Sequence, residues 1–455
     1  MSSAAPVSPD EIRTRFSRAM SEVYRQEVPQ YGVLLNLVAA VNGRTLEAHP
    51  GLRARLSRCG ELQRLQVERH GAIRLGTRAE LADMRRVFAV MGMMPVGYYD
   101  LSVAGVPVHS TAFRPVTDAA LAVNPFRVFT SLLRLELIED VGLRKEAARI
   151  LSRRRIFTER ALELTQKFER AGELTDAEAD EFVAQVLETF RWHHEAAVDA
   201  ETYRKLHDAH RLVADVVSFK GPHINHLTPR TLDIDAAQAE MPKWNIVPKE
   251  LIEGPPKRRI PILLRQTSFK ALEERVTFPG SGTRHPGTHT ARFGEIEQRG
   301  AALTRAGREL YDRLLARRQA QQAAGTREER SADALDGFPD DLETLRREKL
   351  AFFHYTLAQQ GTVAADRLAA MSLEALIASG CVHAEPIVYE DFLPVSAAGI
   401  FQSNLGGTEP RSYSANAAKD AFEAALGAKV LDEFELYGAR ERASLALLDG
   451  QLRRA

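Results

Sequence analysis

The chain lacks the features that would place it among secreted, membrane or nucleic-acid-binding proteins. Its only cysteines are Cys59 and Cys381, so it has neither a disulfide framework nor a cysteine zinc site. Its 61 basic residues equal its 61 acidic residues, which removes the overall positive charge typical of a nucleic-acid binder. No apolar run is long enough to span a bilayer, and residues 1–6 do not resemble a signal peptide. We therefore expect a cytoplasmic protein with no membrane and no nucleic-acid partner.

The length and residue patterns predict a mixed α+β fold in several parts. A chain of 455 residues with 44% apolar and 27% charged residues is ordinary for a globular protein but long for one compact core. A segment rich in Arg, Glu, Ala and Leu predicts a helical insert of three or four helices between two β-rich parts. We divide the chain into N-terminal helices with a first β part (1–139), the insert (140–217), a second β part (218–300) and a C-terminal helical part (301–455).

Within these parts, periodicity and capping signals predict individual elements. Residues 65–75 alternate as a strand does, and Thr77 with Glu80 forms a capping box that opens a helix. Residues 259–299 predict two strands separated by a Gly- and Pro-rich loop. Residues 317–345 lack a sustained apolar face, so we expect them to be exposed.

A histidine and an arginine share one face of the strand predicted at 65–75. Side chains alternate along a strand, so His70 and Arg74 lie on the same face with only Ala72 between them. A metal ligand and a carboxylate clamp are a plausible pair there, because the planar guanidinium binds carboxylates bidentately. A partly buried histidine beside a solvent-facing arginine explains the same pattern.

The segment from Gly221 to Pro229 contains two further histidines. His223 and His226 are three residues apart, so they cannot point the same way on a strand, and the prolines disfavour a helix. At most one of them is expected to bind a metal, while the other orients a ligand or touches substrate. A polar turn with exposed histidines is the alternative.

Carboxylates occupy alternate positions in the strand-like segment Arg292–Arg299. Glu295 and Glu297 share one face, which is typical either of a solvated surface or of a half-buried strand that presents a ligand. Two histidines and one carboxylate form the ligand set of non-haem Fe(II) oxygenases. His285 and His289 offer a rival pair, but they lie in the loop predicted to be flexible. A polar turn at 399–407 could donate hydrogen bonds to a carboxylate, although an ordinary loop has the same pattern.

Several motifs together resemble the 2-oxoadipate dioxygenase/decarboxylase family, also called 2-hydroxyglutarate synthase. They occur in order over most of the chain, and the similarity is weakest in the helical insert and in residues 317–345. The motifs are Val41–Thr45, Glu68–Arg74, Gly97–Leu101, His223–Arg230, Arg292–Gly300 and Phe401–Leu405.

This resemblance implies a fold related to the vicinal-oxygen-chelate enzymes, with a β-sheet core around Fe(II). By the same resemblance, His70, His226 and Glu295 would be the metal ligands. The choice of Glu295 over Glu297 has separate support, because residues 293–299 also resemble the last ligand strand of 4-hydroxyphenylpyruvate dioxygenase, Phe-x-Glu-Ile-x-Gln-Arg. In that pattern the first glutamate binds the metal and the position of Glu297 is apolar.

The resemblance also implies a substrate and a reaction. O₂ and a 2-oxo diacid would react at the metal, and 2-oxoadipate would be decarboxylated and hydroxylated to 2-hydroxyglutarate in lysine catabolism. The distal carboxylate would be held by Arg74 and by the loop that contains Gln402, Ser403 and Asn404. His223 would assist a ligand without binding the metal, and no protein acid or base is assigned.

Two other functions remain compatible with the residues alone. The same three ligands suit a zinc or manganese hydrolase or lyase acting on a small carboxylic acid. A metal-stabilised scaffold without catalytic activity is the other alternative, and it would bind metal without turning over any 2-oxo acid.

Overall fold

A computed structural model describes residues 6–269, 271–280, 284–323, 335–358, 371–393 and 415–453. The helices are α1 (Pro9–Glu27), α2 (Pro29–Ala48), α3 (Pro50–Arg58), α4 (Glu61–Arg64), α5 (Arg78–Val90), α6 (Asp118–Val123), α7 (Val141–Ser152), α8 (Glu159–Ala171), α9 (Asp176–Leu187), α10 (Ala200–Ala209), α11 (Arg211–Val217), α12 (Ile234–Glu240), α13 (Arg305–Ala323), α14 (Leu342–Arg347), α15 (Leu373–Ala378), α16 (Ala415–Leu426) and α17 (Glu433–Leu452). The strands are β1 (Arg69–Leu75), β2 (Met94–Asp100), β3 (Val108–Arg114), β4 (Arg127–Leu133), β5 (Leu227–Pro229), β6 (Leu264–Ser268), β7 (Leu272–Pro279), β8 (Arg284–Arg292), β9 (Glu295–Arg299), β10 (Phe353–Leu357) and β11 (Val382–Pro386).

A five-stranded sheet forms the centre of the fold, with the strand order β2-β3-β4-β1-β5. Strand β1 runs parallel to β4 and antiparallel to β5, with His70 opposite Thr228. Beyond β5, a single bridge between Arg230 and Glu297 joins β9, which pairs in turn with β6. Strands β1, β5 and β9 are therefore neighbours in space although far apart in sequence.

The two faces of β1 belong to different hydrophobic clusters. Ile73 and Leu75 pack in the cluster that includes residues of α1, α2 and α5, whereas Ala72 packs in the cluster that includes residues of α11 and α17. The period-2 alternation predicted from sequence is therefore confirmed. It places His70 and Arg74 on the same face as Ala72, which makes that face the one that positions the candidate site. The mixed α+β fold class is confirmed as well.

Two glycines allow close approach of the segments around the site. A Cβ atom at Gly71 would lie 2.5 Å from Ile224 Cδ1 and 3.0 Å from the carbonyl oxygen of His226. At Gly294 it would lie 1.9 Å from Phe269 Cε1, well inside van der Waals contact. A larger residue at Gly71 would press on the segment that carries His226, and one at Gly294 would press the start of the Glu295 strand against Phe269.

Several element boundaries differ from the sequence predictions. Strand β1 begins at Arg69 rather than Leu65, because residues 61–64 form a short helix and the chain stays helical at Leu65. The insert contains five helices, α7 to α11, rather than three or four, and its first helix begins at Val141 with Asp140 as the N-cap. The capping box of Thr77 and Glu80 is present as predicted.

Residues 259–299 contain four strands where two were predicted. The segment predicted as a Gly- and Pro-rich loop contains the end of β7 and the start of β8, which pair with each other, and His285 and His289 both lie in β8. The prediction that residues 317–345 are exposed is wrong in part. Helix α13 continues to Ala323, and the side chains of Leu335 and Phe338 are buried, while residues 324–334 lie outside the described part of the chain.

Where the structure describes the chain, no helix combines the length and the apolar character that crossing a bilayer requires.

Candidate metal centre

The structure brings together the three residues implied as metal ligands. His70 comes from β1, His226 immediately precedes β5, and Glu295 is the first residue of β9. All three side chains are fully buried, and one potential ligand atom from each lies within 4.8 Å of the others. Since β1, β5 and β9 are neighbours, sheet pairing itself holds the three side chains in one place.

Hydrogen bonds fix the orientation of the Glu295 carboxylate. Its Oε1 atom accepts a hydrogen bond from Thr228 Oγ1 at 3.0 Å and another from Gln266 Nε2 at 2.7 Å. Its Oε2 atom is buried without a hydrogen-bond partner. Burial opposes ionisation, but His226 and His70 keep the pKa of Glu295 below its usual value. The carboxylate is therefore charged, and one of its oxygens has no protein donor.

His226 is suited to bind a metal through a neutral imidazole. Neither of its ring nitrogens has a hydrogen-bond partner, although the side chain is fully buried. Its ring contacts the His70 ring in a T-shaped arrangement, with the centroids 5.2 Å apart, and the Phe293 ring, with the centroids 4.9 Å apart. Burial lowers the pKa of His226 to about 4, so the ring is neutral and keeps a lone pair at neutral pH.

His70 contacts a carboxylate through each ring nitrogen. Nε2 lies 3.0 Å from Glu295 Oε1, and Nδ1 lies 2.8 Å from Glu297 Oε2, but neither contact has the alignment of a hydrogen bond. Burial favours the neutral ring, yet Glu297 and Glu295 together raise the pKa of His70 above its ordinary value. The pocket around His70 therefore attracts positive charge.

These observations fit a divalent cation held by two nitrogens and one oxygen. Buried polar atoms without partners are costly in a folded protein, and His226 and Glu295 both contribute such atoms to a group whose potential ligand atoms lie within 4.8 Å of one another. A bound cation would satisfy them. Two imidazoles and one carboxylate suit Fe(II), and also Zn²⁺ or Mn²⁺. That these residues bind a metal stays a prediction from the residues and their geometry.

Arg74, the predicted substrate clamp, lies beside this centre in a polar cluster. Its Nη1 atom donates to Asp215 Oδ2 at 2.7 Å, and its side chain is 13% exposed. With the amide of Asn225 oriented so that its oxygen faces the donors, that oxygen also accepts from Arg74 Nη1 at 2.9 Å. Asn225 precedes His226, so the cluster adjoins the candidate ligands directly.

His223 belongs to the same polar cluster as Arg74. Its Nε2 atom lies 3.1 Å from the Asn225 side chain and 3.6 Å from Asp215 Oδ1. Burial lowers the pKa of His223 to about 3, so it is neutral. Its contacts therefore connect it to the predicted substrate clamp, while a role in assisting a metal ligand stays a prediction.

Sequence reasoning missed the carboxylate that organises this cluster. Asp215 accepts from Arg74 and lies 2.8 Å from Nε2 of His289, whose Nδ1 atom is 2.8 Å from the Tyr203 hydroxyl. The prediction that His289 lies in a flexible loop is wrong, because the hairpin buries it against Asp215. The sequence did contain a signal for it. Asp215 interrupts the apolar run of α11 between Val213 and Val216, and an aspartate in a buried run indicates a charged or hydrogen-bonding partner.

The loop residues predicted to bind substrate lie outside the described part of the chain; they are Gln402, Ser403 and Asn404. The last described residues before that segment do reach the candidate centre. The Phe392 ring meets the His70 ring edge to face, with the centroids 5.0 Å apart.

Comparison with known proteins gives similarity over nearly the whole chain. A family model described as 2-oxoadipate dioxygenase/decarboxylase matches residues 16–404. The 2-oxoadipate dioxygenase/decarboxylase of Escherichia coli K12 is 58% identical over 443 residues, covering 97% of this chain and 98% of that protein. The protein of the same name from Mycobacterium tuberculosis H37Rv is 38% identical, covering 96% of this chain and 98% of that protein.

Among solved structures, the hydroxyglutarate synthase of Pseudomonas putida in complex with 2-oxoadipate has a TM-score of 0.89 and 55% sequence identity. The alignment covers 99% of this chain and 100% of that one. The similarity therefore extends through the helical insert and the C-terminal part as well as the central sheet.

Proposed function

The chain belongs to the 2-oxoadipate dioxygenase/decarboxylase family, and we propose that it converts 2-oxoadipate and O₂ to 2-hydroxyglutarate and CO₂ with a bound Fe(II). The observation that carries this proposal is the buried set of His70, His226 and Glu295, which has one potential ligand atom from each residue within 4.8 Å of the others. The solved relative with 2-oxoadipate bound supports the choice of substrate. The reaction balances, because the six carbons of the substrate appear as five in the product and one in CO₂.

The chain's contribution at the metal is to hold three ligands in fixed positions. His70, His226 and Glu295 would bind Fe(II), which supplies sites where a 2-oxo acid and O₂ can meet. Thr228 and Gln266 fix the orientation of the Glu295 carboxylate relative to the two histidines, because both donate to its Oε1 atom. Complete burial of the three ligands limits access of bulk water to the reacting atoms.

Arg74 is proposed to hold the distal carboxylate of the substrate. It shares the face of β1 that carries His70, and Asp215 and Asn225 hold its Nη1 atom. A guanidinium bound on one side by a carboxylate and an amide oxygen has a restricted orientation, which reduces the entropy lost on binding substrate. Gln402, Ser403 and Asn404 are proposed to complete the clamp, on the basis of the family motif.

The cellular setting is part of the same proposal. The reaction would belong to lysine catabolism, as the family resemblance implies. Cys59 and Cys381 are both free thiols, which suits a reducing compartment and supports a cytoplasmic location.

Anaerobic reconstitution with Fe(II) followed by O₂ uptake tests the proposed function. A panel of 2-oxo acids should show turnover of 2-oxoadipate, with one CO₂ released per O₂ consumed. With ¹⁸O₂, one labelled oxygen should enter the new carboxylate, and the other should enter the hydroxyl group unless it exchanges with water. Turnover that requires added 2-oxoglutarate, or that proceeds without O₂, would contradict the intramolecular reaction and favour a hydrolase or lyase. Metal-dependent melting with no turnover would favour a scaffold.

A further inference from the structure

Glu297 is a second buried carboxylate beside the candidate metal centre, and the proposed reaction gives it no role. Its side chain is fully buried two residues after Glu295 on β9. Both of its oxygens accept hydrogen bonds from the guanidinium of Arg299, at 2.8 and 2.9 Å, so it is half of a buried ion pair. A buried charge is costly unless specific partners stabilise it. Its partners therefore indicate what it does.

One partner of Glu297 is a candidate metal ligand. Glu297 Oε2 lies 2.8 Å from Nδ1 of His70, while Nε2 on the other side of the same ring faces Glu295. The Nδ1 contact has the length of a hydrogen bond but not its alignment. A rotation of the ring or of the carboxylate would complete it. Histidines that bind metals commonly donate their other ring N–H group to a carboxylate in this way.

The other partner of Glu297 is Arg299, which binds both of its oxygens. Arg299 Nε donates to Oε1 at 2.8 Å, and Nη2 donates to Oε2 at 2.9 Å. Its remaining terminal nitrogen, Nη1, donates to the carbonyl oxygens of Tyr389 at 2.9 Å and Asp391 at 3.0 Å. The same guanidinium therefore holds Glu297 and the backbone beside Phe392, whose ring contacts His70.

We propose that Glu297 is a positioning residue for the metal ligand His70. It accepts the Nδ1–H of the imidazole, which fixes the tautomer with the lone pair on Nε2 and aims that atom at the metal. Arg299 holds Glu297 in place and joins it to residues 389–391. The inference rests on the proposed metal site, but it does not depend on which substrate that site takes.

A purely structural role makes different predictions from a positioning role. Glu297 could serve only to neutralise Arg299, which also lies 3.7 Å from Glu68 in a buried group of ion pairs. In that case its loss would lower the stability of the metal-free protein and leave the intrinsic affinity for metal unchanged. A positioning role requires the affinity for metal to fall even in protein that is fully folded.

Titration of the metal-free protein with Co²⁺ separates these roles, with the visible absorption spectrum of Co²⁺ as the readout. Glu297→Gln should bind Co²⁺ about 10- to 100-fold more weakly than the wild type, the range found when partners of metal-binding histidines are removed. Its Co²⁺ spectrum should also change. Turnover at saturating Fe(II) should remain substantial, because all three ligands are still present.

A matched control removes the carboxylate partner of a different buried arginine, Arg265, which lies on the neighbouring strand β6. Arg265 on β6 binds both oxygens of Asp235, at 2.7 and 3.1 Å, and is buried as Arg299 is. Asp235→Asn should leave both the Co²⁺ affinity and the spectrum at their wild-type values. An equal loss of affinity in this variant would show that any disturbance of the sheet weakens the site, and the proposal would be wrong.

Two further variants keep the proposal testable if Glu297→Gln does not fold. The double variant Glu297→Gln/Arg299→Gln leaves no unpaired buried charge, and it should show the same weakened Co²⁺ binding. Arg299→Lys keeps the carboxylate beside His70, so its loss of affinity should be smaller. Wild-type Co²⁺ affinity and spectrum in folded Glu297 variants would overturn the inference while leaving the proposed reaction intact. If instead the wild type fails to turn over 2-oxoadipate but the Glu297 variants bind Co²⁺ more weakly, the proposed reaction would be wrong and the inference on Glu297 would stand.

Discussion

Arg74→Lys is the substitution that most directly tests how the site distinguishes a diacid from a mono-acid. Lysine preserves the positive charge but presents one nitrogen where the guanidinium presents three. Asp215 already engages one nitrogen of Arg74 at 2.7 Å, and Asn225 shares it. A lysine ammonium at this position would have to satisfy those partners and the substrate with the same atom. The diacid should therefore lose a contact that wild-type Arg74 provides.

The expected size of this loss follows from the type of hydrogen bond. A hydrogen bond to a charged group contributes about 1.5–3 kcal/mol. Because 1.4 kcal/mol corresponds to a factor of ten, kcat/KM for 2-oxoadipate should fall by roughly 10- to 140-fold. The loss should appear mainly as a higher apparent KM, since Arg74 is proposed to hold the end of the substrate that does not react.

Initial rates of O₂ uptake with 2-oxoadipate and 2-oxohexanoate give the required comparison. The two acids have the same carbon chain, and only the first has a distal carboxylate, so Arg74→Lys should affect the second much less. Arg265→Lys serves as the control, because Arg265 is a buried arginine that pairs with Asp235 rather than with Asp215 and Asn225. Equal losses for both acids in Arg74→Lys would refute the proposed clamp, and would place Arg74 near the reacting end or in a structural role.

Four further substitutions test the ligands, the packing and the pH dependence. His226→Ala and Glu295→Ala should each abolish Fe(II)-dependent turnover, because two remaining ligands cannot hold the metal in a fixed geometry; retained activity would remove the residue from the ligand set. Gly294→Ala should lower the free energy of unfolding by about 1–3 kcal/mol in denaturant titrations, because the alanine Cβ would lie 1.9 Å from the Phe269 ring. An unchanged unfolding midpoint would show that the Phe269 ring can move aside at no cost. Burial lowers the pKa of His109 to about 4, so the unfolded state binds more protons and stability should fall as the pH drops from 7 to 5. His109→Asn should reduce that slope by up to about 1.4 kcal/mol per pH unit, and an unchanged slope would contradict the assignment.

The sequence predicted those parts of the site that depend on local geometry. Alternation along β1 is a local property, so the shared face of His70 and Arg74 followed from the residue pattern alone. The argument that His223 and His226 point different ways was local too, and the structure places them in separate clusters. Which carboxylate joins the histidines depends on the pairing of distant strands, and there the family motif supplied the choice of Glu295.

Residue patterns could not reveal partners that come from distant segments. Asp215 lies in the helical insert, 141 residues after Arg74 in the sequence, and no periodicity connects them. His289 was predicted to lie in a loop because Gly and Pro are frequent around it, yet pairing between β7 and β8 makes that segment a strand. In both cases tertiary contacts outweighed local preference, as they commonly do for β structure.

The alternating charges of β9 show why burial is hard to infer from a single strand. Mixed charges at alternate positions usually indicate a solvated face, yet Glu295, Glu297 and Arg299 are all buried. Each has partners from neighbouring segments. Glu295 has Thr228 and Gln266, while Glu297 and Arg299 satisfy each other in a bidentate pair. Since Arg299 pairs with Glu297, no arginine in the described part of the chain is left for Glu295, whose hydrogen bonds come from a threonine and an amide. A divalent cation held between Glu295 and the two histidines would balance its negative charge.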